Sequence, residues 1–97
     1  MDVYVVYDSH YNDSDLISVP DRLSYDMQKL AQMFCDWLSK PDLPNSYYVY
    51  VNGQKCVNCE TQGFVDWLNA YFVRKDEHVS IIKQHIKYAA KSLKVDF

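Results

Sequence analysis

Asn52-Gly53, set between two short runs rich in Tyr and Val, constrains this chain more than any other dipeptide in it. Asn and Gly are among the few residues that accept the two positive φ angles of a type I′ turn, whose twist matches that of the strands on either side. Tyr47 to Val51 and Gln54 to Val57 are therefore predicted to form a β-hairpin. Alternation along its first strand puts Tyr48 and Tyr50 on one face and Tyr47, Val49 and Val51 on the other.

Other segments are read by their periods. Val3 to Tyr7 is β-branched and aromatic with almost no polar interruption, which predicts a buried strand. The polar stretch Ser9 to Ser14 reads as a loop, and Leu16-Ile17-Ser18-Val19 as a second strand closing a hairpin. Pro20-Asp21 suits a first helical turn, and Leu23, Met27, Leu30, Phe34 and Trp37 make one stripe on a helix running to about Ser39, stopped by Pro41. Thr61 is placed to cap a second helix carrying Phe64, Val65, Leu68, Tyr71 and Phe72.

From Asp76 to Lys94 the set Val79, Ile82, Ile86, Ala89 and Leu93 keeps helical spacing, with acids first and lysines last, as the helix dipole favours. A strand over His78 to Lys83 competes, since Val79 and Ile81 alternate with polar neighbours. Length and charge placement favour the helix. The expected fold is α+β over a single domain of residues 1–97. A small, mainly antiparallel sheet of two hairpins is packed on one face by three helices, in the order ββαββαα. Phe34-Cys35-Asp36-Trp37-Leu38 is echoed by Phe64-Val65-Asp66-Trp67-Leu68, which two amphipathic helices with similar core residues explain.

Charge limits the partners. Residues 1–45 hold eight Asp against Arg22, Lys29 and Lys40, while residues 46–97 hold seven Lys/Arg against five acids, for a net charge of −3. That balance argues against a nucleic-acid partner, whose phosphates are neutralised by Lys and Arg, and favours a protein with a basic surface. No signal peptide or membrane span is expected near Met1 to Asp8, so a cytoplasmic protein with no membrane partner is anticipated. Three cysteines in such a chain predict reduced thiols.

Chemistry-bearing groups are few. Asp8, His10, Asp13 and Asp15 cluster after the first strand, where metal ligands and acid–base residues often lie, but without the spacing of a calcium loop. Cys56 and Cys59 have the spacing of half a zinc site, for which Cys35, His78 and His85 are the other available ligands. Neither set completes a motif, and a glycine-rich phosphate loop and a nucleophile elbow are absent from the sequence. No cofactor is expected.

Val5-Val6-Tyr7-Asp8 resembles the first-strand end of the small CRISPR-associated adaptation nucleases. The resemblance implies a ferredoxin-like dimer with Asp8 as a metal ligand. It covers those four residues, and the chain has neither that family's basic first helix nor its Ser-Val-Phe-Glu-like third element, carrying Tyr48-Val49-Tyr50-Val51 there.

Nine tyrosines are the largest departure from average composition, and Tyr is enriched where proteins meet proteins. The sequence therefore predicts a non-enzymatic protein-binding module, of the kind formed by immunity proteins or phage inhibitors of host defence. Its contact surface is expected to comprise Asp8, Tyr11, Asp13 and Asp15 with Tyr48 and Tyr50. A metal-dependent nuclease using Asp8 and a zinc-stabilised adaptor on Cys56 and Cys59 are the alternatives. The apolar face of 64–72 leaves a homodimer open.

Overall fold

The computed structural model describes residues 1–8, 13–40, 43–44, 47–57, 60–87 and 93–96. The described residues form six strands and three helices: β1 (Asp2–Asp8), β2 (Asp13–Ser18), α1 (Asp21–Ser24), α2 (Met27–Leu38), β3 (Tyr48–Val51), β4 (Gln54–Val57), α3 (Thr61–Tyr71), β5 (Ser80–Ile86) and β6 (Lys94–Asp96). The α+β class holds. The arrangement of its strands differs from the expected one in two respects.

First, the two hairpins do not share a sheet. The main sheet has the order β5-β2-β1-β6, while β3 and β4 form a separate two-stranded ribbon. β1 pairs antiparallel with β2 and parallel with β6, so the main sheet is mixed. Second, the expected terminal helix is replaced by β5 and β6. Val79 is fully buried and Ile81 packs against the core, whereas Ile82 is 46% exposed. That is the two-residue period of a half-buried strand. The side-chain amide of Asn69, on α3, donates to the Val79 carbonyl at 2.8 Å and accepts its N–H at 2.8 Å, fixing the chain as it enters β5.

One sheet face carries the core. Val3, Val5, Ile17 and Val95 alternate onto that face and are buried against residues of α2 and α3. Burying such a side chain contributes about 1.5–3 kcal/mol. The apolar stripe read for the first helix is intact, with Leu23, Met27, Leu30 and Phe34 all buried. The helix itself is interrupted at Tyr25–Asp26, separating α1 from α2. There the Ser24 hydroxyl bonds the Asp21 carbonyl at 2.7 Å, a local alternative to the helical ladder.

The sequence echo becomes a contact. Phe34 and Phe64 are both fully buried, with ring centroids 5.5 Å apart, and Trp37 and Trp67 lie 6.4 Å apart. The correspondence reaches one turn further back, because Gln32 donates to Asp36 and Gln62 to Asp66, at 3.2 and 2.8 Å. Each helix thus places Phe inward and a Gln–Asp pair outward.

Candidate functional site

The described ends of the acidic segment, expected to be an exposed loop, are strand: β1 runs to Asp8 and β2 begins at Asp13, with a shift of register between Val6 and Asp8. Tyr11, and the side chains of Asp8 and Asp13, lie outside the described residues, as do His10 and Cys59.

Asp15 is a correction: it is 3% exposed, inside the fold, and offers no contact surface. Its register partner is Val5, so its side chain lies on the helix-covered face. There the Thr61 hydroxyl donates to Oδ2 at 2.5 Å, and the His85 backbone N–H donates to Oδ1 at 3.0 Å. The second bond has a geometric origin. Ser14 pairs with Ile86 and Leu16 with Lys83, so two residues of β5 oppose Asp15 and the strand bulges. His85, at φ 56°, takes the left-handed conformation there, and its amide is satisfied by the carboxylate. Thr61 is accordingly the first residue of α3 and not its side-chain cap; Glu60 precedes it, and its carbonyl accepts the Phe64 N–H at 3.1 Å.

The tyrosines divide. Tyr48 is half-buried against the core; its hydroxyl accepts the Leu43 N–H at 3.4 Å and its ring lies under Lys55 Nζ, 4.0 Å from the centroid. Tyr50, two residues on and 72% exposed, stands in solvent. The Tyr48–Val57 and Tyr50–Lys55 pairs put Tyr48, Tyr50, Lys55 and Val57 on one face of the ribbon, as alternation requires. Val51 and Val57 are exposed as well. Asn52 and Gly53 have φ of 52° and 80°, so the turn is the one the dipeptide predicts.

A second aromatic surface adjoins the ribbon. An open groove of about 400 Å³ lies between α2 and α3, with Trp37, Trp67, Tyr71 and Phe72 in its lining. Met33, Asp36 and Lys40 complete it. Trp37 links the two surfaces: its ring meets Tyr47, just before β3, edge-on at 4.8 Å and Tyr71 at 5.7 Å. Tyr71 is 58% exposed, although its spacing on the apolar stripe predicts core. Burial, and then the negative charge of Asp66, push the Tyr47 phenol above its ordinary pKa.

Among the described residues, no three His, Cys, Asp or Glu side chains gather as a metal site. Cys35 and Cys56 are exposed, and neither is in a disulfide. No described helix is long and apolar enough to cross a membrane. No protein-family model matches the chain, and no curated protein or solved structure matches it either.

Proposed function

We propose that this chain is a small protein-binding module that engages a basic partner protein through the β3–β4 ribbon and the adjoining aromatic groove. The observation that carries the reading is Tyr50. It stands in solvent on the same face as exposed Val57, on a two-stranded ribbon outside the main sheet. A ribbon of this kind is marginal alone, and clustered exposed apolar residues mark interaction surfaces. Tyr adds apolar area and a hydroxyl at low entropic cost.

The electrostatics fit a basic partner. Asp36 lines the aromatic groove and Asp66 is exposed on α3, within a chain of net charge −3. Carboxylates at a rim steer association, while the buried aromatic contacts supply most of the affinity. Action by blocking or assisting the partner, as an immunity protein or a phage inhibitor of host defence does, is the mode this reading favours.

The test is capture of host protein by immobilised wild-type chain and by Tyr50→Ser, with both shown to fold by circular dichroism. Capture of a discrete protein by the wild type, lost in the variant, supports the reading. Equal capture by both removes the ribbon from the contact.

A further inference from the structure

We infer that the groove between α2 and α3 receives an arginine side chain of the partner, a proposal that rests on the protein-binding reading and names the chemistry of the contact. Two features carry it. The lining is aromatic, with exposed Tyr71 and half-buried Trp37 and Phe72 around buried Trp67. Ring faces attract a cation, and a planar guanidinium stacks on them better than a strongly hydrated ammonium does.

The second feature is charge. Asp36 lies in the lining, and its Oδ1 accepts from Gln32 at 3.2 Å. Asp66, the corresponding residue of α3, accepts from Gln62 at 2.8 Å but does not line the groove. The lining thus joins aromatic rings to one carboxylate, and a guanidinium is the side chain that both stacks on rings and donates to a carboxylate. An aliphatic occupant would desolvate the Asp36 carboxylate without bringing it a cation.

Lys40 is the one cation in the lining. It opposes a cationic guest, so its removal has a defined sign: Lys40→Gln tightens binding of an arginine side chain and leaves an apolar guest unaffected.

The experiment titrates labelled protein with three glycine-flanked pentapeptides bearing a central Arg, Lys or Leu, following the indole N–H resonances of Trp37 and Trp67. Substitution of each Trp by Phe assigns the two signals. The expected result is an Arg affinity at least fivefold above those of Lys and Leu, lowered at least threefold in Asp36→Asn and in Tyr71→Ala, and raised in Lys40→Gln. All three altered side chains are exposed, so the fold is retained, and dispersed amide spectra verify it. Equal shifts with the Leu or Lys peptide, or none with the Arg peptide, overturn the inference. Those results leave the protein-binding reading standing if Tyr50→Ser still loses capture. Arg-specific shifts without any Tyr50-dependent capture remove that reading and leave the groove as a guanidinium site.

Discussion

Thr61 Oγ1 donates to Asp15 Oδ2 at 2.5 Å, joining the middle of β2 to the first turn of α3 across 46 positions of sequence. The same carboxylate holds the His85 amide at the β5 bulge, so one side chain ties together two strands and a helix. Removing it in Asp15→Ala leaves a buried hydroxyl and a strand amide without their acceptor, at about 1–3 kcal/mol for each unsatisfied group. Urea unfolding is expected to show a loss of about 3 kcal/mol, with a smaller loss in Asp15→Asn, which keeps one acceptor oxygen. A loss under about 0.5 kcal/mol in Asp15→Ala, the range of ordinary surface substitutions, would contradict this role.

Asn69 makes both hydrogen bonds that a backbone can offer at Val79. Asn69→Ala is expected to cost about 2 kcal/mol, from two net hydrogen bonds of about 1 kcal/mol each. Amide exchange at Val79 and in the first half of β5 should accelerate relative to β1. Unchanged protection there would show that α3 does not anchor the strand.

Arg22 donates to both carboxylate oxygens of Glu77 and to the Phe72 carbonyl, and the Arg74 N–H donates to Glu77 at 2.8 Å. The Arg22 bonds first, and then that backbone bond, hold the Glu77 carboxyl at about 2, below its ordinary 4.5. A lowered carboxyl pKa stabilises the fold above the unfolded value, and the contribution is lost as pH falls from 4.5 toward 2. Glu77→Gln should therefore melt below the wild type at pH 7, by a margin that closes across that window and narrows in high salt. Thermal melts between pH 2 and 7 check it; a margin independent of pH would contradict it.

Parts of this were open to sequence reasoning because the signal is local. Asn52-Gly53 determines its turn by backbone sterics, and the spacing of Leu23 to Phe34 determines which helix face is buried. Val79, Ile82 and Ile86 satisfy a helical period and lie in a β-branched stretch, so local pattern supports two answers there. What decides is tertiary: β2 needs a partner on its outer edge, and Asn69 holds the entry to it. Asp15 was legible as an acid but not as a buried one, since its partners lie 46 and 70 residues away.

The groove was hidden for the opposite reason. Trp37 and Tyr71 fall on apolar stripes that read as core, yet an open groove lies between α2 and α3 and Tyr71 stands in solvent. The available signal was the width of the apolar face from Phe64 to Phe72, broader than a small core needs to cover one side of a helix.

The most direct measurement places a photo-reactive phenylalanine analogue at Tyr50, at Tyr71 or, as a control on the exposed edge of β5, at Lys83, and irradiates intact cells. Adducts to one discrete protein from positions 50 and 71, with none from 83, are predicted. Adduct formation from 83 alone, or equally from all three, would contradict a contact surface built on the ribbon and the groove.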